Sequence, residues 1–99
     1  MARRRLGMST VAVLRAVHAG HRYGFEIMEE TGLPGGTVYP ALARLEEDEL
    51  LTSDWEDAAL AQADKRPPRR YYDITDHGRQ RLQESLAWLG AAAPATREA

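Results

Sequence analysis

Gly36-Thr37-Val38-Tyr39-Pro40-Ala41-Leu42-Ala43-Arg44-Leu45-Glu46-Glu47 decides how this chain of 99 residues folds. Val38, Leu42 and Leu45 recur at i, i+4 and i+7, the apolar stripe of a helix. Tyr39, Pro40, Ala43, Arg44 and Glu47 fall largely on other faces. Leu33-Pro34-Gly35-Gly36 is a turn signal, and the helix is expected to run from there to about Glu49. Pro40 has to sit early in it, because a later proline loses a backbone hydrogen bond and strikes the preceding turn.

Toward the N-terminus, Tyr23 to Glu30 reads as a short helix. Phe25, Ile27 and Met28 are its apolar residues and Gly32 its stop. Before it, Val13, Leu14 and Val17 stripe a first helix, capped by Ser9 or Thr10 and ended near Ala19 by Gly20. Toward the C-terminus, Leu50 to Glu56 alternates as a strand, with Leu51, Ser53 and Trp55 on one side. Trp55 is read as structural. Asp57 to Pro68 has no sustained period and is expected to be a mobile loop. Arg69 to Ile74, with Tyr71, Tyr72 and Ile74, is a second strand that closes a long-looped hairpin. Thr75 caps a last helix, with Asp76 at its positive end. Leu82, Leu86 and Leu89 recur at i, i+4 and i+7, a stripe fit for a partner helix. Fraying is expected from Gly90 on.

Three helices with a tight turn before the third, then a hairpin, is the layout of a winged helix-turn-helix. The expected fold class is mainly α with a small β-hairpin. A winged helix-turn-helix unit spans 9–75 and a dimerisation helix 76–90. A basic arm at 1–8 and a flexible tail at 91–99 flank them.

Composition narrows the chemistry. There is no cysteine, which removes disulfides, thiolate metal sites and a cysteine nucleophile and is compatible with a reducing cytoplasm. The apolar run from Val11 to Val17 is short and broken by Arg15, so it supports neither export nor membrane spanning. His18 and His21 form a pair without a third ligand, and His77 stands apart, so no metal is expected. No nucleophile–base, paired-carboxylate or phosphate-loop constellation stands out, so neither an enzyme nor a cofactor is expected. Glu46-Glu47-Asp48-Glu49 reads as a solvated helix end.

The net charge is −2. Its distribution says more. Residues 1–22 carry +5, residues 26–57 carry −9 and residues 65–81 carry +4. Two basic segments flank an acidic middle, and a polyanion responds to local patches rather than to the global sum.

The stretch quoted first strongly resembles the PadR-like family of transcriptional regulators. Tyr23-Gly24-Phe25-Glu26-Ile27 looks like that family's second-helix motif. Leu51-Thr52-Ser53-Asp54-Trp55-Glu56 looks like its first wing strand. Arg66-Pro67-Pro68-Arg69-Arg70-Tyr71-Tyr72-Asp73-Ile74-Thr75, followed by Gly78, looks like its wing exit and last helix start. Each is weak alone; in this order, from about residue 11 to 89, they are specific. There are departures. The family usually has glycine where Glu49 stands, and often arginine where Pro67 stands. The single short C-terminal helix resembles the family's short subgroup.

The resemblance implies a cytoplasmic, nucleoid-associated bacterial repressor that binds a double-stranded DNA operator as a homodimer. In such proteins the second helix of the motif enters the major groove. Thr37, Val38, Tyr39, Pro40 and Arg44 would meet DNA there. Lys65, Arg66, Arg69 and Arg70 on the wing would meet phosphate or the minor groove. Leu82, Leu86 and Leu89 would form the dimer interface. Some family members bind aromatic compounds between subunits, so Trp88 either lines a pocket for a small aromatic effector or, more simply, packs the interface. Other choices stay open. Tyr39 can pack on the first helix, and Arg44 can pair with Glu47 or Asp48. Arg3, Arg4 and Arg5 can contact DNA or only solubilise. The rival reading is a winged-helix module that binds protein and not DNA.

Overall fold

The computed structural model describes residues 5–92. The elements run α1 (Met8–His18), α2 (Gly24–Thr31), α3 (Gly35–Glu47), β1 (Leu51–Trp55), α4 (Ala58–Ala63), β2 (Arg70–Ile74) and α5 (Asp76–Ala92). This is the winged helix-turn-helix order, mainly α with one antiparallel hairpin. Arg3 and Arg4 of the expected arm, and residues 93–99 of the expected tail, lie outside the described residues.

One core joins the first three helices to the hairpin. Val13, Leu14 and Val17 of α1 meet Ile27 of α2, Val38, Leu42 and Leu45 of α3, and Leu51 and Tyr72 of the sheet. The hairpin pairs Leu51 with Ile74, Ser53 with Tyr72 and Trp55 with Arg70. The link between α1 and α2 adds one more rung, since Tyr72 N–H donates to Arg22 O at 2.8 Å. The wing is thereby fastened to the helix-turn-helix on two sides.

Several boundaries differ from expectation. Gly7, not Ser9 or Thr10, is the N-cap of α1. Val11 N–H already bonds Gly7 O at 2.9 Å, so both hydroxyl residues sit inside the first turns. Gly35 and Gly36 open α3 rather than forming a turn before it, with Pro34 as N-cap. Pro40 is therefore in the second turn, not the first, and Gly36 O lacks the helical donor that a non-proline residue would supply. The α5 helix continues through Gly90 to Ala92.

The ends of α1, α3 and α4 share one solution. In α3, Leu50 N–H bonds Leu45 O and Glu49 N–H bonds Glu46 O, both at 2.9 Å. That is the Schellman arrangement, which needs a left-handed residue at its turn. Gly20 fills this position after α1 with φ 109°, while Glu49 (φ 63°) and Lys65 (φ 58°) fill it after α3 and α4 without being glycine. Leu45 and Leu50, both fully buried, close the apolar contact that accompanies the α3 motif.

The stretch expected to be a mobile loop holds α4. Asp57 Oδ1 caps it by accepting from Ala59 N–H at 2.7 Å, and Ala61 is fully buried. An Arg66–Glu56 pair fastens its far end. Six residues with alanine at four positions are too few to show a helical period in sequence, which is why the element was invisible there.

At the other end of the hairpin, Thr75 caps α5 as expected. Its Oγ1 accepts from Gly78 N–H at 2.8 Å and lies 2.8 Å from Glu49 O, tying α5 to the end of α3. Gly78 is required there, because a Cβ would overlap the Leu50 carbonyl.

Candidate nucleic-acid interface

The face of α3 turned from the core presents Thr37, Tyr39, Pro40 and Arg44. Tyr39, Pro40 and Arg44 are exposed and Thr37 half-buried. Val38 is fully buried in the core and is withdrawn from the surface set. The i, i+4, i+7 stripe that identified the helix had already committed it inward. Thr37, Pro40 and Arg44 line one shallow groove with Ser9 and Thr10 of α1. Those two hydroxyl residues, read from sequence only as helix caps, border the same strip. Arg44 forms no ion pair among the described residues, so neither Glu47 nor Asp48 holds it.

Tyr39 packs on α2 rather than on α1. Its ring lies over Gly24, where a Cβ would overlap it. The glycine lets the ring settle against the start of α2 while 52% of the residue stays exposed. Tyr39 is thus both positioned and available.

The wing cations divide by partner. Lys65 is exposed. Arg66 makes a bidentate pair with Glu56, Nη1 to Oε1 at 2.6 Å and Nη2 to Oε2 at 2.7 Å. Glu56 Oε1 also accepts from Arg69 N–H at 3.1 Å. These bonds hold the Glu56 carboxyl down at about 2, with the Arg66 guanidinium the main cause. Arg66 fastens the wing and is not a free cation for DNA. Its side chain is 22% exposed against 9% for Glu56. The pairing is ten residues long in sequence, a distance that periodicity does not report.

Arg69 and Arg70 diverge, as neighbours near a strand must. The Arg69 guanidinium lies 4.1 Å over the Tyr23 ring. Tyr23 stands edge-on to Tyr71 at 5.7 Å, and Arg22 covers Tyr71 from beyond while bonding Asp73 at 3.0 Å. Arg70 lies over Trp55 at 5.3 Å and donates to Ser53 Oγ at 2.9 Å. Both arginines nonetheless reach one groove of about 520 Å³ between α2, α3 and the wing. Trp55, 64% exposed, and Phe25, 60% exposed, also line it. Sequence reading placed Trp55 as structural and Phe25 as apolar; their exposure is a property of where α2 and the wing end.

A profile of the transcriptional regulator PadR-like family matches residues 13–84. The chain belongs to this family. Solved PadR-like structures share its fold. A PadR-like transcription factor from Bacteroides fragilis is 29% identical with a TM-score of 0.73, covering 86% of this chain and 82% of that one. A PadR family transcription regulator from Clostridium difficile is 25% identical with a TM-score of 0.71, covering 86% and 91%. BpsR of Bordetella bronchiseptica, whose DNA binding is regulated by 6-hydroxynicotinic acid, shares the fold at 18% identity and a TM-score of 0.72, covering 92% and 64%. Among curated proteins none matches. As a PadR-like protein the chain is a transcriptional regulator with a winged-helix DNA-binding fold.

The α5 stripe of this PadR-like chain is not uniform. Leu82 is 4% exposed and belongs to the protomer's own core, and Leu89 packs partly against it. A buried leucine offers a partner little surface, so Leu82 is corrected from interface to core. Leu86 and Trp88 remain, 39% and 42% exposed. Trp88 borders a cleft of about 280 Å³ with the N-terminal segment, and the Arg5 guanidinium lies 4.2 Å over its ring. Among the described residues no helix is long and apolar enough to cross a membrane, and no cluster of three His, Asp or Glu is placed to hold a metal ion.

Proposed function

We propose that the chain is a sequence-specific repressor that binds a near-palindromic operator as a homodimer in the bacterial cytoplasm and nucleoid. The observation that carries this reading is the division of α3. Val38, Ala41, Leu42 and Leu45 are core, while Tyr39, Pro40 and Arg44 are left in solvent, Tyr39 in one groove with the wing arginines and Pro40 and Arg44 in another with Ser9 and Thr10 of α1. The two-fold axis of a dimer would set two copies of α3 in successive major grooves, about 34–36 Å apart. Residues 9–75 serve as the DNA-binding unit. The α5 segment over 76–90 brings the copies together through Leu86 and Trp88. Release by a small aromatic compound belongs to the reading, with Trp88 its first candidate contact.

Fluorescence anisotropy of the full chain with duplexes from upstream of its own gene tests this. For six or more phosphate contacts, affinity falls about a thousandfold or more between 50 and 200 mM salt. Replacing Tyr39 erodes discrimination between sequences, while replacing Arg69 weakens all duplexes alike. Salt-insensitive binding, or none, overturns the reading. One observation favours the rival protein-binding module: Arg66 and Arg70 already lean on internal carboxylates.

A further inference from the structure

The first described residues lie against α5. Leu6 packs on the core, and the Arg5 guanidinium lies 4.2 Å over the exposed Trp88 ring. Gly7 follows as N-cap of α1. Three successive residues thus fix the point from which the N-terminal segment leaves the protein. A guanidinium stacked by its face keeps its N–H donors at its edge. The ring therefore holds Arg5 and leaves those donors open to an anion.

The position of α1 says which anion is near. Ser9 and Thr10 border the α3 strip with Thr37, Pro40 and Arg44. Four residues of extended chain span at most about 14 Å, so Arg5 starts within that distance of Ser9. Residues 1–4 can reach about as far again. Residues 1–22 carry five arginines and no acid, and Arg3, Arg4 and Arg5 are three of the five. A single carboxylate, Glu84, lines the cleft at Trp88, and Arg81 lines it too. That is too little to neutralise three arginines, whereas a duplex seated on the strip offers them a row of phosphates.

Resting on the regulator reading, we propose that residues 1–5 form an arm that grips the DNA backbone beside the α3 strip, and that Trp88 is the positioning residue that aims it. Trp88 itself touches no DNA. It orders Arg5 in advance, a cost that a loose arm meets on binding. The exposed ring on α5 thereby has a role that needs no effector.

The test uses the full chain and labelled duplex from upstream of its own gene. The chain has no cysteine, so A2C carries an iron–EDTA cleavage reagent at one place only. Cleavage falls in one short cluster of base pairs per half-site, and adding W88A makes it weaker and diffuse. R3Q/R4Q/R5Q lowers the salt slope by about two to three, as the loss of three phosphate contacts requires. W88A weakens binding about two- to fivefold on all duplexes alike, the worth of one exposed cation–π contact. W88F restores most of that loss, and in the triple variant W88A has no further effect. Uncleaved duplex, an unchanged salt slope in R3Q/R4Q/R5Q, or a W88A effect that persists without the three arginines each overturns the proposal. A parent that binds duplex with none of these responses loses only the arm. One that binds no duplex loses the regulator reading, and the arm with it. Thermal melts matching the parent establish that the variants are folded.

Discussion

Arg70 on the wing and Glu46 on α3 share one hydroxyl. Ser53 Oγ accepts from Arg70 Nε at 2.9 Å and donates to Glu46 Oε2 at 2.6 Å, with Arg70 Nη2 3.5 Å from the same carboxylate. The tether crosses from the wing to the last turns of α3 and sets an acid beside a cation that the proposed function offers to phosphate. Glu46→Gln keeps an acceptor for Ser53 and removes the charge. The pair is about one-third exposed, 40% and 34%, so its worth is below about 1 kcal/mol. Duplex affinity therefore rises by up to about fivefold, and the salt slope steepens by at most about one. Anisotropy titrations at several salt concentrations measure both. A fall in affinity would mean that the tether aims Arg70 rather than restraining it.

Glu49 occupies a backbone position made for glycine. Its φ of 63° costs a residue with a Cβ about 1–2 kcal/mol, and part of that returns when glycine's looser unfolded chain is counted. Glu49→Gly stabilises the fold by about 0.5–1 kcal/mol. The Thr75 bond to the residue 49 carbonyl survives, because it uses backbone. Urea unfolding reads the gain as a higher midpoint at unchanged slope. An unchanged or lower midpoint would show that the Glu49 carboxylate has a stabilising role of its own.

The same position shows what the sequence carried. Val38, Leu42 and Leu45 announced α3 by period, and the alternation from Leu50 to Glu56 with the β-favouring Tyr71, Tyr72 and Ile74 announced the wing, because core contacts repeat along each element. The likeness to PadR-like proteins even marked Glu49 as a departure before its φ was known. Contacts between elements left no such trace. Nothing periodic tells that Arg66 finds Glu56, that Gly24 makes room for Tyr39, or that Leu82 turns inward while Leu86 turns out. One arginine in a basic run looks like another until a partner is placed beside it. Of the surface set, the structure buries Val38 in the core and pairs Arg66 with Glu56, two placements that period and charge alone do not report.

The Glu56 carboxyl makes the wing acid-sensitive. Its value is lowered from the ordinary 4.5 to about 2 by the Arg66 hydrogen bonds. Between those values the unfolded chain binds the proton and the folded one does not, so stability rises with pH across that window. The contribution is complete above about 4.5 and disappears as pH falls toward 2. Glu56→Gln lowers stability at neutral pH and flattens the pH dependence in that interval. Thermal melts of parent and variant from pH 7 to pH 2 check this; parallel curves would remove Glu56 from the account.

Leu82 and Leu86 sit one turn apart on α5 and should fail in different ways. Leu82 is in the core at 4% exposure, Leu86 at the surface at 39%. Leu82→Ala leaves a cavity and costs about 2–4 kcal/mol of protomer stability, a large share of what a domain this small possesses. Leu86→Lys leaves the protomer intact and places a charge where the proposed two-fold axis brings two copies together, so each lysine faces its own image. Sedimentation velocity across a concentration series separates the effects. Leu86→Lys shifts the chain toward monomer with little change in its melting profile at low concentration, while Leu82→Ala lowers the melting temperature at every concentration. If Leu86→Lys associates like the parent, the surface that joins the copies does not include this turn of α5.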